Sequence, residues 1–191
     1  SGLVTLIDIT NAYAMIANGG TKVEPKLINS IYSKDGKKIY SSNSKICNFC
    51  KLDKIIDYEI PKLLNTNKKI IDSKYTYQIT SMMEGVINRG TAKKLNNLNV
   101  PIAGKTGTTN ENTDAWFIGF TSNFVVGVYV GMDNPEPLGK FETGSKTALP
   151  IFENFVKKAI KKSDARPFKV SKGITMMVVD SFTGQKAKFT S

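Results

Sequence analysis

Residues 104 to 109 read Gly-Lys-Thr-Gly-Thr-Thr, and no other stretch of the chain concentrates as much chemistry. Lys105 brings a positive charge and Thr106 and Thr108 bring hydroxyls. Gly107 leaves the backbone open to close approach by a bound molecule. Two chemistries use such a set. A phosphate loop cradles phosphate oxygens on backbone N–H groups, but its G-x-x-x-x-G-K-[ST] spacing demands glycine at position 99. Asn99 stands there, which argues against a nucleotide site. The other chemistry is a strand lining a reacting centre. There a fixed positive charge and hydroxyls can hold an anionic group of a bound molecule, and a backbone N–H can face charge that develops during reaction.

Such a strand needs a sheet to sit in and helices to hold it. Residues 101–109 form a short, glycine-punctuated strand, followed by an apolar strand over 115–120. Thr121-Ser122-Asn123 reads as a turn, and 124–130 is β-rich and continuous enough for a central strand. Upstream, Thr5 and Asp8 at the spacing of a capping box open a helix over 5–17, with Leu6, Ile9, Tyr13 and Ile16 on one face. Gly19-Gly20 ends it through positive φ. A β-hairpin is expected over 27–40, turning at Lys34-Asp35-Gly36-Lys37. Residues 41–67 read as an irregular excursion. A second helix begins near Ser73 with an apolar stripe of Tyr75, Ile79, Met82, Met83, Val86 and Ile87, and Gly90 follows its end. Thr147 caps a third helix over 148–161, whose apolar positions include Ile151, Phe152, Phe155, Val156 and Ile160; its closing lysines suit the negative end of the helix dipole. The tail holds one further strand-like run, 174–179. The order predicts an α+β architecture, an antiparallel sheet packed with helices.

The chain of 191 residues is long enough to bury a core of its own, and its charge is +11. Arginine occurs only at 89 and 166, and the lysines are spread along the chain. Phosphate and base recognition favour clustered arginine, so the charge reads as a solvated surface and no nucleic-acid partner is expected. Cys47 and Cys50 are the only cysteines and there is no histidine. A zinc site within the chain would need carboxylates to complete four ligands. The pair reads as a small disulfide pinning a loop, or as two free thiols. No cofactor is called for. No apolar run reaches the roughly 18 residues of a spanning helix, and any export signal is expected upstream of Ser1.

Beyond the K-T-G run itself, the blocks around it are Asp114-Ala-Trp-Phe-Ile-Gly-Phe120, Val126-Gly-Val-Tyr-Val-Gly131, Glu142-Thr-Gly144 and Ala148-Leu-Pro-Ile151. Upstream stand Ala12-Tyr-Ala14, Ala17-Asn-Gly-Gly20 and Gly85-Val-Ile-Asn-Arg-Gly-Thr91. In this order, over nearly the whole chain, they resemble the transpeptidase domain of the class A, bifunctional penicillin-binding proteins. The resemblance implies a penicillin-binding/β-lactamase-like fold, incomplete here. It implies a parent that makes peptidoglycan at the periplasmic face of the bacterial inner membrane, anchored through an N-terminal part and carrying a glycosyltransferase domain as well. Its transpeptidase joins peptide stems ending in D-Ala-D-Ala through a serine acyl-enzyme, and β-lactams acylate the same serine. The partners implied are stem peptides, glycan strands and cell-wall synthesis proteins. By the same resemblance Lys105, Thr106 and Gly107 match the K-T-G, and Thr108 the position whose hydroxyl meets the carboxylate and whose N–H joins the oxyanion hole.

The family's nucleophile lies in S-x-x-K and a second motif in S-x-N. Ser42-Asn-Ser-Lys45 and Ser41-Ser-Asn43 fit these patterns, but they overlap in one polar stretch, whereas the family's motifs come from separate elements converging on one cleft. Both read as coincidences. The nucleophile, its lysine and the second motif are expected before Ser1, and the isolated chain is expected to be inactive. Trp116 reads as core rather than cleft, and Arg89 and Thr91 as a solvated helix end. Residues 1–162 are expected to form the K-T-G side of the domain and 163–191 a tail. A non-catalytic module that binds or scaffolds the wall is the alternative.

Overall fold

The computed structural model describes residues 3–42, 45–47, 63–65, 67–161 and 165–187. Helix α1 (Leu6–Ala17) opens on Thr5, whose Oγ1 accepts from the Asp8 N–H and donates to the Asp8 carboxylate at 2.6 Å. Gly19 and Gly20 both adopt positive φ after it. A Cβ at Gly20 would run into the Ile71 carbonyl, and the Gly20 carbonyl accepts from the N–H groups of Ile70 and Ile71. The turn after α1 is thereby fastened to the approach to the second helix.

Strands β1 (Ser30–Tyr32) and β2 (Lys38–Ser41) make the expected hairpin, with Gly36 at φ 77° in its turn. In the stretch read as irregular, β3 (Lys45–Cys47) pairs with β4 (Leu63–Asn65). Cys50 and the side chain of Cys47 lie outside the described residues, and with them the disulfide reading.

Helix α2 (Ser73–Asn88) is capped by Asp72, whose side chain accepts from the Lys74 N–H at 2.9 Å. Its buried positions are Thr76, Thr80, Met83, Gly85 and Ile87. Tyr75, Ile79 and Met82, expected in the core, are exposed, Met82 at 67%. Threonine can serve an apolar interface because its hydroxyl bonds back to its own helix: Thr80 Oγ1 donates to the Thr76 carbonyl at 2.8 Å and Thr76 Oγ1 to the Ser73 carbonyl at 3.1 Å. With both hydroxyls satisfied, Thr76 and Thr80 join Met83 and Ile87 on the buried face, and Tyr75, Ile79 and Met82 face out.

The sheet that matters for the site runs β5 (Ala103–Thr108), β6 (Asp114–Phe120) and β7 (Val125–Gly131), antiparallel throughout. Among the described residues β6 is therefore the central strand and β7 an outer one. The continuous β-branched run of β7 is half-buried, with α1 and α3 packed on it. Gly127 sits where α1 crosses, and a Cβ there would strike Thr10 Oγ1.

Successive side chains of a strand alternate between faces. Phe117 and Gly119 point to α3 (Ala148–Ala159), where Phe152 meets Phe117 edge-on at 4.8 Å between ring centroids. Phe120 points to the other face and packs with Met83, Tyr13 and Ile16. Of the apolar positions expected for α3, Phe152 and Val156 are buried while Ile151 and Phe155 face solvent, and Leu149 and Glu153 are buried as well. Thr147 does not cap α3 as expected; its hydroxyl donates to Glu142 Oε2 at 2.6 Å. The tail returns to the body through Phe168, edge-on to Phe120 at 5.5 Å, and through Ser171 Oγ donating to Ser73 Oγ at 2.8 Å. Residues 174–179 form no strand. Val179 makes one isolated bridge to Lys186, and Met176 to Val178 lie exposed.

Glu153 is a nearly buried carboxylate held by Lys157 at 2.6 Å and Lys94 at 3.2 Å. The hydrogen bond from Lys157, then that from Lys94 and the attraction of both lysines, outweigh burial and hold its pKa below the ordinary 4.5. A lowered carboxylate pKa stabilises the fold fully above the unfolded-state value and loses that contribution as pH falls through the folded value. Both lysines are half or more exposed, so solvent screens the pair. Glu153→Gln is expected to cost about 1 kcal/mol at pH 7. The deficit should begin to shrink as pH falls through the ordinary carboxylate value and vanish only below the lowered folded-state value, where the wild-type carboxylate is itself protonated. Urea midpoints of the two proteins at pH 7 and pH 3 check this.

Candidate functional site

The site is built on β5. Its register pairs Lys105 with Ile118, Thr106 with Phe117, Gly107 with Trp116 and Thr108 with Ala115. The first residues of the strand, Ala103 and Gly104, are buried, whereas Lys105 and Thr108 are exposed. The strand is thus anchored in the core at one end and presents its polar run at the other. Gly104 is needed for the anchoring, since a Cβ there would lie 2.9 Å from both the Ile118 carbonyl oxygen and the ring of Phe117.

Lys105 extends into solvent and turns its Nζ to the Thr106 carbonyl at 2.8 Å. Thr106 Oγ1 lies 3.0 Å from Thr91 Oγ1. Thr91, exposed just past the end of α2, thus also reaches the polar run of β5. It is carried there by the turn that closes α2, where a Cβ at Gly90 would press on the Val86 backbone at 2.8 Å. Arg89 fits the reading of a solvated helix end: it is exposed and folds back along its own helix over Gly85.

Gly107 has a reason to be glycine beyond access for a ligand. A Cβ there would sit 3.1 Å from Trp116 Cβ. Trp116 is half-buried beneath it and leans on Tyr129, ring centroids 4.5 Å apart. Tyr129 is fixed in turn by donating to Asp114 Oδ1 at 2.9 Å, a bond that holds the phenol pKa above its usual value. Trp116 is a floor to the strand, which agrees with a packing role.

The end of β5 is closed by a tight connection to β6. Glu111 and Asn112 adopt positive φ, 64° and 57°, which is costly for residues bearing a Cβ and persists only where surroundings impose it. The Thr109 hydroxyl accepts from the Asp114 N–H at 2.8 Å, and the Asn112 carbonyl accepts from the Leu138 N–H at 3.0 Å. That second bond draws the loop before α3 over the site, and its Gly144 N–H donates to Thr108 Oγ1 at 3.1 Å. Thr91 was read as a solvated helix end, and Gly144 was not singled out in the sequence. Each stands in a motif block, but no local pattern reveals a contact across 15 or 36 residues.

Ser42, the serine of the S-x-x-K lookalike, lies at the foot of the β1–β2 hairpin, outside the β5–β6–β7 sheet. It is buried; its hydroxyl donates to Asn29 Oδ1 at 3.0 Å and its carbonyl accepts from Lys26 Nζ. Among the described residues the Ser42 hydroxyl is thus engaged with a neutral amide rather than with a base; Asn43, Ser44 and the side chain of Lys45, which complete the lookalike motifs, lie outside the described residues. Among the described residues no helix is long and apolar enough to cross a membrane.

A family model for the penicillin-binding protein transpeptidase domain matches residues 2–157. Penicillin-binding protein 1A of Rickettsia typhi is 48% identical, over 95% of this chain and 23% of that protein. Penicillin-binding protein 1A of Pseudomonas aeruginosa is 33% identical, over 96% of this chain and 26% of that protein. The crystal structure of penicillin-binding protein 1A from Haemophilus influenzae superposes with a TM-score of 0.80 at 28% identity, over 96% of this chain and 30% of that one. The chain spans 23% to 26% of the length of the two curated relatives.

Proposed function

Because this chain belongs to the penicillin-binding protein transpeptidase family, we propose that it forms the K-T-G wall of a D-Ala-D-Ala transpeptidase that cross-links peptidoglycan stems. The observation that carries the reading is the β5 strand: a buried start, then a lysine, two hydroxyls and a glycine presented in sequence at its open end. In this role Lys105 holds positive charge beside the reacting serine and the substrate carboxylate. Thr106 and Thr108 bind that carboxylate, and a backbone N–H of the strand faces the oxyanion of the tetrahedral intermediate. Gly107 lets the substrate backbone or a β-lactam lie against the strand.

Covalent catalysis needs a nucleophile and a base within hydrogen-bond reach. Ser42 lies outside this sheet with its hydroxyl on Asn29, so we assign the nucleophile, its lysine partner and the S-x-N to residues outside these 191. The chain by itself is then inactive. The parent would also carry a glycosyltransferase and work at the outer face of the inner membrane, with stem peptides as substrates and β-lactams as acylating inhibitors.

The test is made on the source cells. Membranes are labelled with a fluorescent penicillin, and the protein captured by an antibody to this chain is sized. A labelled band far larger than the 21.0 kDa of this chain is expected. An unlabelled band near that mass would overturn the catalytic reading and leave a wall-binding remnant.

A further inference from the structure

Thr108 carries a hydroxyl with one proton to give and two lone pairs to fill. The Gly144 N–H takes one of those lone pairs, at 3.1 Å, from a loop 36 residues away. Among the described residues no acceptor takes the Thr108 proton, and the side chain is exposed. A hydroxyl whose acceptor side is engaged by a fixed N–H is turned to donate outward, and the incoming N–H polarises its O–H in the same direction. An outward donor suits an anion, and it suits a carboxylate far better than a neutral carbonyl.

The position of that N–H is imposed by close packing. A Cβ at Gly144 would press on the Trp116 carbonyl oxygen and would lie 2.6 Å from the Gly107 carbonyl oxygen. Glycine alone brings a backbone N–H this near the strand. The other side of the same residue is fixed as well. The Gly144 carbonyl accepts from Leu149 N–H at 2.9 Å in the first turn of α3, and the Thr143 carbonyl accepts from Lys146 and Thr147 N–H. Glu142 ties in through the Thr147 hydroxyl. Gly144 thus couples α3 to the polar end of β5 through one N–H and one C=O.

We propose that Gly144 is a positioning residue for carboxylate recognition, its N–H setting the Thr108 hydroxyl as a donor toward the carboxylate of the substrate or β-lactam. The inference rests on the proposed transpeptidase reading, in which Thr108 meets that carboxylate. It adds the loop of Glu142, Thr143 and Gly144 as a second layer behind the K-T-G strand.

The test replaces the Gly144 N–H with an ester oxygen; this also weakens the Thr143 carbonyl as an acceptor, a loss for which the methyl-ester penicillin is the control. In the full-length protein that carries this chain, Gly144 is replaced by glycolic acid, which turns one backbone amide into an ester. Acylation is then followed with a penicillin and with its methyl ester. The change is expected to slow acylation by the free acid about 5- to 10-fold, the weight of one hydrogen bond, and to leave the methyl ester unaffected. Thr108→Val should slow the free acid at least as much, and the ester substitution should add nothing on the Thr108→Val background. Equal slowing of both penicillins, or additive losses, would overturn the proposal. A Thr108→Val protein that acylates normally would overturn the carboxylate reading of Thr108 and the proposal with it. Amide exchange gives a check that needs no change at Gly144. In Thr108→Val the Gly144 amide should exchange about 5- to 10-fold faster while the Thr147 amide, bonded to Thr143, keeps its protection. Unchanged exchange at Gly144 would overturn the assignment.

Discussion

Lys105→Ala in the full-length protein is expected to slow acylation by a carboxylate-bearing penicillin about 10²- to 10³-fold, the range seen when one preorganised electrostatic contact at a reacting centre is lost. Lys105 is exposed, and its Nζ rests on the Thr106 carbonyl 2.8 Å away. It supports no core contact, so the variant should melt with the wild type and the loss should be one of chemistry. Lys105→Arg is expected to recover only part of the rate. The guanidinium keeps the charge, but its planar fork does not take the place of a compact ammonium. Stopped-flow acylation of the three proteins, with melting curves alongside, checks the prediction. A Lys105→Ala protein within a factor of about 3 of wild type would place the electrostatic work elsewhere.

The second large effect belongs to the core. Phe117 is fully buried at the middle of β6 and meets Phe152 of α3 edge-on. Phe117→Ala should destabilise the domain by about 3 to 5 kcal/mol, combining lost apolar transfer with an unfilled cavity. Glycines surround the ring: a Cβ at Gly104 or at Gly119 would come within 2.9 Å of it. Their absent side chains leave little to collapse into the hole, which favours the upper part of that range. Phe117 sits across from Thr106 in the register, so the same substitution should also slow acylation. Urea denaturation gives the stability and the acylation assay the second loss.

The α+β architecture and the transpeptidase fold were legible because their signals are local or lie in contiguous blocks. The Thr5 and Asp8 cap, the positive φ of Gly19 and Gly20, and the alternation along 114–120 each need only a few neighbouring residues. The buried face of α2 was legible only in part: Met83, Val86 and Ile87 stood in the expected stripe and pack in the core, but Thr76 and Thr80 did not stand out. Thr76 and Thr80 count as polar in any hydropathy pattern, and only the bonds to their own helix carbonyls make them fit for the interior. Their burial left Tyr75, Ile79 and Met82 facing out. The same limit hid Glu153 among the apolar positions of α3, since its partner Lys94 comes from a distant turn. At the site, Lys105, Thr106, Gly107 and Thr108 stood out as a run. Thr91 and Gly144 did not, because their contacts with Thr106 and Thr108 exist only once α2 and the loop before α3 have folded onto the strand.

The central claim is that this chain supplies the K-T-G wall while the serine nucleophile lies outside residues 1–191. The most direct measurement is a peptide map of the penicillin adduct, made on the labelled protein from the source cells and on the isolated chain. The adduct is expected on a serine outside these residues, with the isolated chain unmodified. An adduct on Ser42, or on any other serine of this chain, would contradict the claim and make the chain an enzyme in its own right.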